Sequence, residues 1–199
     1  MALLTTLKTK TAEKHLALEA QMDITRHFKT RDDYRHLLER FYTLYAPLEA
    51  RLAEAVDWQQ AGFDFDDRRK TPWLVEDLAH LGAEPQEGLD LAECQTLPQV
   101  SGLANAIGCL YVLEGSTLGG QVISRLLQQH LPITLENGGR FFAGYGAKTL
   151  PNWRLFGEWA EACSTRDPAI EPLAAAAAQS TFDTFARWFH QPHSSCPTL

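Results

Sequence analysis

The sequence has few cysteines and none in a working pattern. Cys94, Cys109, Cys163 and Cys196 form no C-x-x-C pair and no zinc-ligand spacing, which removes structural zinc and dithiol redox centres from consideration. Cys109 sits in an apolar stretch and is expected to be a buried thiol, and reduced cysteines point to the cytoplasm. Positive charge is also short. Lys and Arg number 18 against 25 Asp and Glu, a formal net charge of −7, which argues against nucleic acid and anionic membrane as main partners. No run of ~18 uncharged apolar residues occurs, and even the most apolar stretch is interrupted by Glu114. The first residues, MALLTTLKTKTAEKH, lack an apolar signal core and a cleavage site, so no secretory leader is expected. No segment shows strand-like alternation of period two. There is no G-x-S-x-G, no H-E-x-x-H and no pair of E-x-x-H motifs. That argues against a hydrolase elbow, a zincin site and a di-iron bundle.

What is present is helical. The 199 residues, 45% hydrophobic, suffice for one core and do not force two domains. Amphipathic spacing predicts a helix over 3–22, a second over 31–56 capped by Thr30 and carrying Pro47, and a third from Thr71-Pro72 to Leu81, closed by Gly82. A long central helix is expected from Gln99 to Leu131, bent or broken at its glycines. Two more follow, one capped by Thr149 through Cys163 and one opened by Asp167-Pro168 and ending near Phe189. Residues 57–70, 83–98 and 133–148 read as connections, with one short turn expected near Asp90, and 191–199 as a frayed tail. The expectation is one all-α domain, residues 1–190, of seven or eight helices.

Two features resist a purely structural account. The first is Leu103 to Leu127, which carries Gly108, Gly115, Ser116, Thr117, Gly119 and Gly120 inside an apolar run. Glycine in a helix costs roughly 1 kcal/mol against alanine. A smooth helix face admits either a neighbouring helix or a planar ligand. The second is His15, in a stripe with Leu7, Thr11, Leu18 and Met22 that is expected to turn inward. Glu19, one turn on, can accept a ring N–H and fix the imidazole tautomer. Lys8, two turns back on the same face, can meet an anionic group at the edge of a large ligand. Taken alone, His15 reads as an ordinary core histidine and Lys8 as a solvated lysine. Together with the glycine face they fit a slot for haem, with His15 as axial ligand and space for dioxygen on the other side.

These residues carry a family resemblance. LKTKTAEKHLALE (Leu7 to Glu19) resembles the proximal helix of haem oxygenases, and YVLEGSTLGGQVI (Tyr111 to Ile123) resembles their distal helix. FFAGYGAKTLPNWRLF (Phe141 to Phe156) is similar to the bacterial, bacteriophytochrome-associated branch. The resemblance implies the single-domain, all-helical haem-oxygenase fold, with haem between the N-terminal proximal helix and a glycine-kinked distal helix. It also implies oxidative opening of haem, both substrate and cofactor, to biliverdin, carbon monoxide and ferrous iron. Dioxygen and an electron donor such as ferredoxin or a flavin reductase would be required, and a bacteriophytochrome could accept the product.

By position, the resemblance makes His15 the axial iron ligand and Glu19 its hydrogen-bond partner. Gly115, Ser116 and Gly119 fall on the catalytic distal side, with Gly120 and Tyr111 beside them. Lys8 and Arg154 fall where the family keeps basic residues near the haem propionates. Two departures stand out. Many members have aspartate where this chain has Ser116, which can hold water but supplies no charge. Further basic positions fall on Glu158 and Ala12. The missing distal carboxylate motivates an alternative, a haem carrier or sensor on the same fold that does not turn over.

Overall fold

The computed structural model describes residues 2–83 and 97–190. The expected turn near Asp90, Cys94, Cys196 and the tail at 191–199 lie outside them. Eight α-helices are present among the described residues: α1 (Ala2–Met22), α2 (Arg31–Ala55), α3 (Trp58–Ala61), α4 (Thr71–His80), α5 (Leu103–His130), α6 (Arg140–Ala143), α7 (Thr149–Arg166) and α8 (Ile170–His190). No strand occurs among the described residues. The all-α expectation holds.

Local chemistry explains most boundaries. Thr30 begins α2 through a reciprocal capping box with Asp33. Pro47 lies inside α2 without ending it. Tyr34, Leu37, Leu38, Phe41, Leu44, Tyr45, Leu48 and Leu52 are all buried, as their spacing predicts. Pro72 stands in the first turn of α4, and Gly82 follows that helix at φ +76°, in the left-handed region. The connection 57–70 is more ordered than expected. It contains α3 and a 3-10 turn at Asp66–Arg68.

Three boundaries differ from the sequence reading. The central helix begins at Leu103, not Gln99, because Gly102 at φ +157° cannot continue a helix backwards. It then runs unbroken through its glycines to His130. Thr149 is the first residue of α7 and makes no side-chain cap. The last helix starts at Ile170, after the Asp167 carboxylate has accepted the Ala169 N–H at 3.0 Å.

α5 is the centre of the molecule. By length and composition it could cross a membrane; here it packs along α8 and against α6 and α7. Two of its glycines serve that packing. A methyl group at Gly108 would come within 2.2 Å of the Ala174 carbonyl oxygen, on the alanine run of α8. One at Gly120 would lie 2.7 Å from the Phe142 carbonyl oxygen of α6. α1 also packs along α8, so α8 lies against both α1 and α5.

Candidate functional site

His15 does not turn inward. The stripe on α1 is buried at Leu7, Thr11 and Leu18, but the His15 side chain is 53% exposed. The reason is tertiary: at this turn α8 covers one side of the ring, through Phe182, and leaves the rest open. The ring stays anchored. Nδ1 lies 3.4 Å from the Glu19 carboxylate, and the Phe182 ring of α8 meets the imidazole edge-on at 5.7 Å between centroids. Nδ1 faces the Glu19 carboxylate at charge-pair distance, without hydrogen-bond geometry, which leaves Nε2 as the nitrogen open to a ligand.

The facing wall is α5. Gly119 has no atom within 4 Å of where a Cβ would point, so its backbone borders open space. Gly115 is bordered by the Trp153 ring, 3.7 Å from where a Cβ would stand. Ser116 is exposed. Gly120, expected on the ligand side, is instead turned into the protein against Phe142. Gly108 likewise belongs to the α5–α8 contact and not to the open face. The smooth face is therefore shorter than the glycine count suggests. Leu118 and Val122 stand exposed beside it.

Aromatic rings connect the two walls. Phe182, which touches His15, and Phe185 are one turn apart on α8. Phe185 meets Tyr45 of α2 at 5.8 Å, and the Tyr45 hydroxyl lies 3.2 Å from Ser116 Oγ. A series of contacts through Phe182, Phe185 and Tyr45 thus links His15 to Ser116. Ser116 Oγ already donates to the Leu113 carbonyl at 2.8 Å. A serine has one proton to give, so the Tyr45 hydroxyl is the donor in their contact. Burial, and the nearby Glu49 and Glu114 carboxylates, push the Tyr45 phenol well above its ordinary pKa and keep it protonated.

Lys8 lies on α1 and Arg154 on α7. α1 and α7 run antiparallel: the Leu3 and Leu4 amides donate to the Glu161 carboxylate at 3.2 and 3.0 Å, and Leu4 fills the space over Gly157. Lys8 is one turn further along α1 from Leu4, and Arg154 about one turn back along α7 from Gly157. Both are exposed. Tyr111 sits between the walls, bonded to Thr11 and packed on Trp153 at 5.7 Å, with burial raising its phenol pKa.

Behind the α5 wall lies a buried ionic cluster absent from the sequence-based site. Glu114, 1% exposed, accepts from Lys70 Nζ, from Arg68 Nη1 at 3.1 Å and from the Tyr145 hydroxyl at 2.8 Å. Burial lowers the Lys70 pKa while the Glu114 carboxylate raises it. Glu49, equally buried, accepts the backbone amides of Lys70 at 2.6 Å and Thr71 at 3.1 Å, which tie α2 to the start of α4. The signal for Glu114 was in the sequence: it is the single charge between Leu103 and Ser124. Tyr45 was legible as a core residue, but nothing in the sequence pairs its hydroxyl with Ser116.

An exposed imidazole on α1, a bare backbone at Gly119 and the exposed cations Lys8 and Arg154 are the groups these elements offer to a ligand. Two surface hollows of about 370 and 480 Å³, beside Glu161 and Trp58, include none of these residues. A family model described as Heme oxygenase matches residues 1–191. The Heme oxygenase of Xanthomonas campestris pv. campestris (strain 8004) is 39% identical over 103 residues, which span 51% of this chain and 56% of that protein. The solved structure of the NO- and CO-bound heme oxygenase from Neisseria meningitidis superposes with a TM-score of 0.76 at 22% identity, covering 97% of this chain and 94% of that one. Heme oxygenase from Leptospira interrogans gives 0.70 at 20% identity, covering 95% and 98%. At these identities the two structures establish a shared fold.

Proposed function

The chain belongs to the heme oxygenase family, and from that premise we propose that it opens haem to biliverdin, carbon monoxide and ferrous iron, using dioxygen and electrons from a separate donor. Residues 1–190 act as one domain in this reading. The observation that carries it is an exposed imidazole, oriented by a carboxylate, at one end of an aromatic floor whose other end is a hydroxyl on a bare helix face. Haem supplies the iron that binds and reduces dioxygen and the ring that is opened. Family membership does not favour the carrier or sensor alternative that the missing distal carboxylate suggested.

The chain's own residues divide the work. His15 is the residue that would hold the haem iron, through Nε2. Glu19 would then accept from Nδ1–H, which fixes the tautomer and makes Nε2 a better donor. A neutral imidazole, unlike a thiolate, does not push electron density strongly towards O–O cleavage. Gly119 leaves room on the distal side, and Gly115, one turn before it, lets the helix pack against Trp153. Lys8 and Arg154 neutralise the carboxylates at the haem edge. Ser116 substitutes for the family's aspartate as a relay: when its proton turns from the Leu113 carbonyl towards the cleft, the Tyr45 hydroxyl stays in place behind it as donor. The relay holds a water and a proton at Ser116 Oγ without a permanent charge there.

The donor is a small redox protein, ferredoxin or a flavin reductase, docking at the rim of Lys8 and Arg154. Free Cys109 and Cys163 are in keeping with a reducing cytoplasm. A bacteriophytochrome is the acceptor of biliverdin in this reading. The deciding experiment is turnover. Hemin-loaded protein given ascorbate or a ferredoxin system in air should lose its Soret band and gain biliverdin absorption. A Soret band that persists, with no biliverdin, rejects the oxygenase reading.

A further inference from the structure

Resting on the haem-cleaving reading above, we propose that Glu114 is a positioning residue for the reaction: its buried carboxylate fixes the rotation of α5, and with it the aim of Ser116, and ties that wall to the start of α7. Glu114 is bonded by three residues from two stretches of chain. Arg68 comes from the 3-10 turn after α3, Lys70 from the residue before α4, and Tyr145 from the loop after α6. The same Arg68 nitrogen donates to the Asn152 carbonyl at 3.2 Å, two residues before Arg154 and next to the Trp153 ring that borders Gly115. Lys70 in turn donates to the Arg68 carbonyl at 2.6 Å. A carboxylate held from three directions cannot move with a rotating helix unless several charged bonds break together.

Helix geometry links this anchor to the cleft. At 100° per residue, Ser116 lies about 160° around α5 from Glu114, on the opposite face. Fixing the back of the helix therefore fixes what the front presents. The front needs such help, because Gly115 and Gly119 have no side chains with which to lock the helix and Gly119 borders open space. Stability alone does not account for the cluster. A buried ion pair is often matched or bettered by apolar packing of the same volume, and the rest of α5 from Leu103 to Ser124 carries no charge. Directional, charge-assisted bonds supply orientation that apolar contacts there would not.

The test compares wild type, Glu114→Gln, Ser116→Ala, their double variant and Tyr145→Phe. Tyr145→Phe removes one donor without unbalancing buried charge and keeps the test open if Glu114→Gln folds poorly. The haem-free readout is amide hydrogen exchange over 113–120 and 149–154. The haem-bound readout is the C–O infrared stretch of the ferrous carbonyl complex. Glu114→Gln is expected to speed exchange in both segments and to move the stretch in the same sense as Ser116→Ala. The double variant should show no shift beyond Ser116→Ala alone, the non-additivity of residues acting through one another. Turnover should fall roughly tenfold in Glu114→Gln, and Tyr145→Phe should give the same changes at smaller size. Wild-type exchange in these segments together with a wild-type C–O stretch, in both Glu114→Gln and Tyr145→Phe, overturns the proposal, even if melting temperature drops. If wild type itself gives no Soret band with hemin, the haem reading fails separately, and the exchange data alone decide whether Glu114 holds α5.

Discussion

His15 meets Phe182 edge-on at 5.7 Å, and this contact places a half-exposed imidazole on the border of the core, with one side packed and the other open. A histidine kept for packing would be enclosed. Here Phe182 of α8 packs against the ring, and the Glu19 carboxylate lies 3.4 Å from its Nδ1. Both contacts involve a group whose remaining nitrogen has no role in the fold.

His15→Ala should therefore separate function from stability. Exposed substitutions usually change stability by less than about 0.5 kcal/mol, so the ligand-free melting temperature should move by no more than about 2 °C. The hemin complex should lose its histidine-ligated Soret band and its turnover, and added imidazole should restore part of the spectrum. An unchanged Soret band in the variant would remove His15 as ligand.

The glycines of α5 should sort into two classes. Gly108→Ala and Gly120→Ala place a methyl against a backbone carbonyl, at 2.2 and 2.7 Å. Overpacking of this kind costs about 1–3 kcal/mol, more than the roughly 1 kcal/mol that alanine returns in helix propensity. Both variants should unfold at lower urea concentration than wild type. Gly119→Leu should keep or raise ligand-free stability, because its side chain enters open space, while weakening hemin binding or turnover by at least about tenfold. Full turnover by Gly119→Leu would refute a close helix backbone on the distal side.

The sequence made the helices legible and left their meeting points hidden, as α5 illustrates. Hydropathy and glycine content marked it as the central element, and that is what it is. Yet one glycine looks the same as another in sequence. Gly108 and Gly120 differ from Gly119 only through what α8 and α6 place opposite them. His15 shows the same limit from the other side. The period that puts it in line with Leu7, Thr11 and Leu18 describes a helix face, and a face is buried only where another element covers it. Glu114 was noticed as an interruption of an apolar run, but its partners Arg68, Lys70 and Tyr145 lie 31 to 46 residues away in the chain, beyond any local pattern.

Tyr45→Phe should weaken catalysis more than folding. The hydroxyl is buried, and its bond to Ser116 at 3.2 Å is long, so its removal should cost about 1 kcal/mol of stability or less. Ser116 retains the Leu113 carbonyl and loses the donor behind it. Losing a hydrogen bond of about 1 kcal/mol from the reacting state corresponds to a roughly fivefold slower turnover. The solvent deuterium isotope effect should rise as proton delivery becomes more limiting. Unchanged rate and isotope effect would show that Ser116 works without Tyr45.

Asp77 ties pH to the outer wall of the site. Its carboxylate accepts the amides of Arg140 at 2.8 Å and Phe141 at 2.7 Å, which sets the start of α6 and so the Phe142 carbonyl under Gly120. Burial raises its pKa to about 6, outweighing the two amide bonds that lower it. In the unfolded chain the value is ~3.9. Between these values the folded protein holds a proton that the unfolded chain lacks, so this group's contribution to stability falls as pH rises from about 4 through about 6. The total is on the order of 3 kcal/mol. Asp77→Asn removes that slope and loses one amide acceptor, a cost of about 1–2 kcal/mol. The variant should thus be less stable than wild type at about pH 4.5 and equal to it or more stable at about pH 7.5, where the ionised carboxylate bears its full burial penalty. Denaturant titrations of both proteins at the two pH values check this. A stability difference that is the same at both would mean that Asp77 titrates no differently in the folded and unfolded states, and that α6 is held by its amide bonds alone.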